Sequence, residues 1–368
     1  MAEVTRREFL RGCALAVAAL GASTFGLSGC SASGSGGQVT VTDYVGRQVE
    51  VPSSPERIAG LDSFTGELMV LCGAGPQLVG TPTGVVSDVL LQQIYPDLVN
   101  VPAPMSNGAI NIEELMSEDP DVVIVKEEVY STSGQPEKLD ATGIPYVVVG
   151  YTSIDEQVSA MRLVGQVCGG DTEGRVEKLA TYYEDTVADC KKRAQDLKDA
   201  DKVKVYHSIN ALAMTDGANS LGADWVSAVG AVDVSATDES AASATDYTAS
   251  LEQVYSWDPD VIICNSADTT DYLKTKANCA GLRAVKSGEV HTIPVGATRW
   301  GQRGSVETYL AMIWLGKTVY PKLYRDVNLK KTVVSYYRDY IGLEIDDATY
   351  KKILSGEGIR QQSQKGGQ

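Results

Sequence analysis

One stretch of this chain occurs twice. "NIEELMSEDPDVVIV" begins at Asn111, and "SLEQVYSWDPDVIIC" begins at Ser250, 139 residues later. Seven of the fifteen positions are identical: Glu113/Glu252, Ser117/Ser256, Asp119/Asp258, Pro120/Pro259, Asp121/Asp260, Val122/Val261 and Ile124/Ile263. Each copy reads as a short helix, a turn and a buried strand. The separation is far beyond the ~20–50-residue periods of solenoids and propellers. The chain is therefore expected to form two similar lobes, each using the same helix–strand unit.

The surrounding sequence repeats that grammar. Strand candidates in the first half are "RIAGL" (57–61), "QLVGT" (77–81), "VVIVK" (122–126) and "YVVVG" (146–150). "KVKVYHSI", "DVIIC" and "VHTIPV" follow in the second half, with helical runs between. Continuous apolar strands separated by helices point to parallel sheets covered on both faces. The join differs. "SIDEQVSAMRLVGQVC" is helical and stops at Gly169-Gly170, after which Asp171 or Thr172 caps a longer helix over 173–199. Val176, Leu179, Tyr183, Val187, Cys190, Ala194 and Leu197 keep one face of it apolar. At ~1.5 Å per residue it is a rod of roughly 40 Å, stiff enough to restrict hinge motion.

The first thirty residues bear on location. Arg6-Arg7 precede a short apolar run that ends in "LSGC" at Cys30. A charged start, a short apolar stretch and small residues before a cut are the parts of an export signal. The arginine pair resembles a twin-arginine signal and "LSGC" resembles a lipobox. That resemblance implies cleavage before Cys30, a diacylglycerol on its thiol, and an extracytoplasmic protein anchored to the cell membrane. "SASGSGG" (31–37) then reads as a flexible tether. The whole chain has 32 basic and 48 acidic side chains. Removing Arg6, Arg7, Arg11, Glu3 and Glu8 with the signal leaves 29 and 46, a formal charge of −17. Nucleic acid is not expected to bind such a surface.

Beyond Cys30, five cysteines remain: Cys72, Cys168, Cys190, Cys264 and Cys279. They have no CxxC spacing and read as small buried hydrophobes, with one disulfide left open. The two histidines, His207 and His291, are too few for an ordinary free-metal site, so no metal site or cofactor is expected. "ANSLG" around Ser220 is a weak match to a nucleophile elbow, and no HExxH, SxxK or Walker loop occurs. An extracytoplasmic hydrolase is the competing class; no enzyme is expected.

Several segments resemble class III substrate-binding proteins of ABC importers, the family that collects ferric siderophores, haem and cobalamin. They are "VTDYVGRQVEVPSSPERIAGL" (41–61), the two repeated stretches, "TDGANSLGADWVSAVGAVDV" and "IWLGKTVYPKLY". The resemblance implies an α/β fold of two Rossmann-like lobes bridged by one long rigid helix, with the ligand in the cleft between them. The expected division is 1–29 signal peptide, 30–38 lipidated Cys and tether, 39–151 N-terminal lobe, 152–201 connecting helices and 202–368 C-terminal lobe. The resemblance also implies that Glu113 and Glu252 pair with arginines of an ABC permease dimer. Asn111 and Ser250 can equally be N-caps, which would place both carboxylates in first helical turns for reasons of the helix dipole alone. A monomer is expected.

Ligands in open α/β sheets sit beyond the carboxyl ends of the strands. That rule selects Ser63, Phe64 and Thr65, then Tyr130 and Tyr151, in the first lobe. In the second it selects His207, as ligand contact or satisfied structural histidine, and "TRWGQRG" (298–304) with Arg299, Trp300 and Arg303. Arginine suits anions through its planar fork. Tryptophan offers a flat face to a chelate, porphyrin or corrin ring. The cargo read from this is an iron chelate, ferric siderophore first and haem or a corrinoid next; the alternative is an oxyanion such as molybdate or tungstate.

Overall fold

The computed structural model describes residues 37–358 apart from 107, 210–211 and 239–241. The expected signal peptide, Cys30 and the tether as far as Gly36 lie outside the described residues. No helix among those described is long and apolar enough to cross a membrane.

An antiparallel hairpin, Gln38–Thr42 with Gln48–Pro52, opens the fold. The first lobe then builds a four-stranded sheet in the order Leu78–Gly80, Ile58–Gly60, Val122–Lys126, Tyr146–Val149, parallel throughout. In the second lobe Lys204–Ser208, Val261–Cys264 and Val290–Thr292 are also parallel neighbours. This sheet departs from expectation at its edge. Met214–Asp216 pairs antiparallel with Lys204–Ser208 and with Asp246–Thr248, and Val232–Asp233 adds a short parallel strand. These segments are two or three residues long, too short to show an apolar run.

Both faces of each sheet are covered, and alternate residues serve different cores. Val122, Ile124, Val147 and Val149 point into one large cluster, while Val123, Val125, Tyr146 and Val148 point into a smaller outer one. In the second sheet Val205, Val261 and Ile263 join the same large cluster; Tyr206, Ile262 and Cys264 face a second outer one. The large cluster is filled by Val158, Met161 and Val164 of helix Ile154–Cys168, by Val176, Leu179 and Tyr183 of helix Gly170–Ala194, and by Leu310 and Met312 of helix Thr308–Val319. A single helical layer is thus shared by both sheets. Burying each such side chain contributes about 1.5–3 kcal/mol. All five cysteines among the described residues are buried and unbridged.

The long helix runs Gly170–Ala194, 25 residues or roughly 37 Å. Neither Asp171 nor Thr172 caps it. Its N-cap is Gly169, whose φ of +66 is followed by +54 at Gly170. A Cβ on Gly169 would come within 2.9 Å of the Ser53 carbonyl, so the approach of the hairpin fixes this corner. Asp171 becomes a first-turn carboxylate, and Lys191, Lys192 and Arg193 close the far end, both favourable to the dipole.

The repeated stretches adopt one design. Asn111 caps helix Ile112–Ser117 by accepting from the Glu114 amide, and Ser250 caps helix Leu251–Trp257 with a reciprocal capping box to Gln253. Each helix is followed by an aspartate in the left-handed region, Asp119 at φ +43 and Asp258 at φ +49; among the described residues no other non-glycine has positive φ. Aspartate tolerates that region better than most residues. After the proline, Asp121 Oδ2 accepts from the amides of Glu56 and Arg57 at 2.8 and 2.9 Å. Asp260 Oδ2 accepts from the Lys204 amide at 2.9 Å. The shared Asp-Pro-Asp therefore ties each strand start to its neighbour. Asp121→Ala strands two amides and should cost about 1–3 kcal/mol, measured as a lower urea midpoint at unchanged slope.

Candidate functional site

The loops at the carboxyl ends of the two sheets meet. Arg303 bridges them, with Nη2 2.7 Å from Glu128 Oε1 of the first lobe and Nη1 2.8 Å from Asp246 Oδ2 of the second. Its backbone carbonyl accepts from the Tyr151 hydroxyl at 2.6 Å. Tyr151 in turn packs on Phe64, and Lys126 Nζ lies 4.8 Å from its ring centre. A Cβ built on Gly304 would lie 3.8 Å from Ser63 Cβ. The lobes are in van der Waals proximity along this side.

Beside the contact is a cleft of about 460 Å³. Ser63, Glu67, Ser87 and Asp88 line it from the first lobe; Thr298, Arg299 and Gln302 line it from the second. No aromatic ring lines it. Two other depressions, of about 490 and 700 Å³, lie along helix Leu221–Ala228 and under the hairpin; neither draws on the 62–67 or 295–305 loops. Arg299 Nη1 donates to Gln302 Oε1 at 3.0 Å. Glu67 Oε2 is fully covered and has no hydrogen-bond partner. Burial, then the charges of Asp88, Glu307 and Asp62, hold the Glu67 carboxyl well above the usual range. It shares the cleft with the Arg299 guanidinium, and its burial favours the protonated form.

Of the residues read from sequence, Ser63 and Arg299 line the cleft. Phe64 and Thr65 are buried in the helix start, where the Thr65 hydroxyl donates to Asp62 at 2.6 Å. Tyr151 and Arg303 form the lobe contact instead. Tyr130 packs against Tyr146, under the Arg47 guanidinium. One expectation is corrected, for Trp300, and His207 takes the structural one of its two readings. Trp300 is fully buried and offers no face to a ligand: the loop turns back at Gly301, φ +72, whose carbonyl accepts from Trp225 Nε1 at 3.1 Å. His207 is likewise buried, with Nδ1 2.6 Å from Asp216 Oδ2 and Nε2 3.0 Å from Asn265 Oδ1. Burial alone would lower its pKa, but Asp216 and Asn265 raise it above the ordinary value. Glu67 was not foreseen, although it lies four residues after Ser63 and so shares its helix face. The 83–88 segment carries no comparable signal.

A buried carboxylate supports the second-lobe wall. Glu307 Oε2 accepts from the Thr298 amide at 2.8 Å, and the Tyr337 hydroxyl, which donates to Glu307 Oε1 at 2.5 Å, also accepts from the Ala297 amide at 3.0 Å. Gly296 is required because a Cβ there would strike the Tyr337 hydroxyl. Burial pushes the Glu307 carboxyl from its ordinary 4.5 up to about 7, against the lowering pull of those hydrogen bonds. A carboxyl whose pKa rises on folding contributes stability that is complete below pH 4.5 and is lost as pH rises through about 7. Glu307→Gln should remove that part of the pH dependence, so that urea unfolding between pH 5 and 8 gives a flatter profile than the parent. Parallel profiles would mean that Glu307 is ionised in the fold.

The periplasmic binding protein family matches residues 58–295. Molybdate-binding protein MolA of Haemophilus influenzae is 26% identical over 329 residues, covering 82% of this chain and 90% of that one. Its molybdate-bound structure superposes with a TM-score of 0.74, at 23% identity over 84% of this chain and 99% of that chain. An uncharacterized ABC transporter substrate-binding lipoprotein of Bacillus subtilis, YvrC, is 24% identical over 300 residues, 78% of this chain and 87% of that one. A periplasmic solute binding protein from Veillonella parvula is similar at TM-score 0.73 and 26% identity, covering 87% of this chain and 99% of that one. With two α/β lobes, a shared helical layer and a polar cleft between the sheet ends, the chain belongs to the periplasmic binding protein family.

Proposed function

We propose that this protein is the extracytoplasmic receptor of an ABC importer, held to the membrane through a lipid on Cys30, and that its cleft takes a small oxyanion of the molybdate class. The observation that carries the ligand is the cleft itself: the Arg299 guanidinium, the Ser63, Ser87 and Thr298 hydroxyls and the Gln302 amide, beside the carboxyls of Glu67 and Asp88, with no aromatic platform. A ferric tris-catecholate would need several free cations, and Arg303 is engaged with two carboxylates. A haem or corrin ring would need the flat surface that Trp300 does not present. The likeness to a molybdate-binding protein over most of both chains supports the same reading. The lipid anchor is supported by the lipobox and by the lipoprotein relative.

Titration of the purified protein with sodium molybdate, sodium sulfate and a ferric siderophore in a calorimeter tests the ligand. Molybdate should bind. Arg299→Gln should weaken it by about 2–5 kcal/mol, the range for removing one partner of a buried charge contact. Because Glu67 donates only while protonated, affinity should fall as pH rises, and Glu67→Gln should keep affinity while flattening that dependence. Binding of the siderophore but not of molybdate would return the assignment to an iron chelate.

Glu113 and Glu252 are exposed first-turn carboxylates on the two repeated helices. They are the proposed contacts with the permease dimer. Reversal of both to Lys should leave cargo binding intact and cost about 0.3–1 kcal/mol of stability per site through the helix dipole. Uptake by cells should be lost, since repulsion replaces steering and a two-point contact loses its mutual reinforcement. Normal uptake would reduce these residues to helix-start chemistry.

A further inference from the structure

Few large apolar side chains are exposed among the described residues, and two of them occupy the same position in the two copies of the repeat. Met116 is 43% exposed and Tyr255 is 38% exposed. Each lies five residues after its N-cap and three after its carboxylate, Glu113 or Glu252. Residues three apart share a helix face. The resemblance extends beyond the identical residues: along 111–120 and 250–259 the pattern of buried, half-buried and exposed positions agrees at nine of ten places. On the opposite face Leu115 and Val254 are fully buried in the outer clusters of their lobes. Each lobe therefore presents the same pair, an exposed carboxylate beside an exposed apolar side chain.

An isolated surface hydrophobe needs no explanation. One that recurs at a matched position, when methionine and tyrosine share neither shape nor propensity, is not accounted for by helix-start chemistry, which ends within the first turn. Tyr255 is also fixed in place: its hydroxyl donates to the Asn278 carbonyl at 2.7 Å and accepts from the Gly281 amide at 3.2 Å. A ring held at the surface loses little freedom on binding.

We propose that Met116 and Tyr255 are the apolar anchors of the two permease contacts, each entering an apolar recess beside a basic side chain on one half of the permease dimer. This rests on the permease reading above. A partner with two-fold symmetry offers the same recess twice, which suits a motif the receptor carries twice. The two members of each pair do different work. Carboxylates raise the encounter rate through long-range attraction, and buried apolar anchors set how long the complex lasts.

The test places p-benzoylphenylalanine at position 116, at 255 or, as a control, at Val99, which is 57% exposed and lies outside the repeat. The full-length protein is irradiated in its own cell envelope, and cross-linked polypeptides are identified by mass spectrometry. Positions 116 and 255 should both capture the same ABC permease polypeptide, and 99 should not. Met116→Ser with Tyr255→Ser should speed dissociation from permease-containing vesicles by about 10-fold or more, leaving association and cargo affinity unchanged. Absence of permease cross-links at 116 and 255, or equal capture from 99, overturns the anchors. If charge reversal at Glu113 and Glu252 still abolishes uptake in that case, the permease reading survives alone. Capture of a partner that is not a permease from both positions, with uptake indifferent to charge reversal, overturns both.

Discussion

The structure depends on one packing constraint: both faces of each sheet must be covered, and the two inner faces share a single layer of helices. Ile124 and Val149 on one side and Val205 and Ile263 on the other border the same apolar cluster. Neither lobe owns that layer. The tyrosines where it meets the C-terminal helices reinforce it, with the Tyr309 and Tyr336 hydroxyls 2.6 Å apart and Tyr183 packed edge-on against Tyr309. Sliding one lobe on the other would expose this cluster. The geometry of the cleft, and the spacing of the repeated helices on the outer faces, follow from it.

Much of this was legible because it rests on periodicity and repetition. The four-residue runs at 146–149 and 261–264 are apolar throughout because both faces are buried. The caps Asn111 and Ser250 were legible because capping is local chemistry. What escaped depends on direction. A tryptophan in a loop reads as an available ring, but whether the loop turns it inward is settled by Gly301 and by Trp225, 75 residues earlier in the chain. The antiparallel edge of the second sheet rests on pairings of two or three residues, where a sequence carries almost no pattern.

The repeat has two layers of meaning. Three of its seven identical residues are explained by the turn: an aspartate with positive φ, a proline, and a second aspartate whose carboxylate holds the neighbouring strand. Its unlike residues, Met116 and Tyr255, agree in exposure and not in type. The cleft shows a similar division between scaffold and site. Glu307, Tyr337 and Gly296 shape the wall from behind, while Glu67 and Arg299 face the space.

The bridge made by Arg303 has a different character from the core beneath it. Its guanidinium and both carboxylates are a third or more exposed, and pairs of that kind are worth about 0–1 kcal/mol each. That is the scale of thermal agitation. The polar contact beside the cleft is therefore weak, above an apolar layer that is not. Dissolved salt therefore loosens this contact and leaves the apolar layer beneath it untouched.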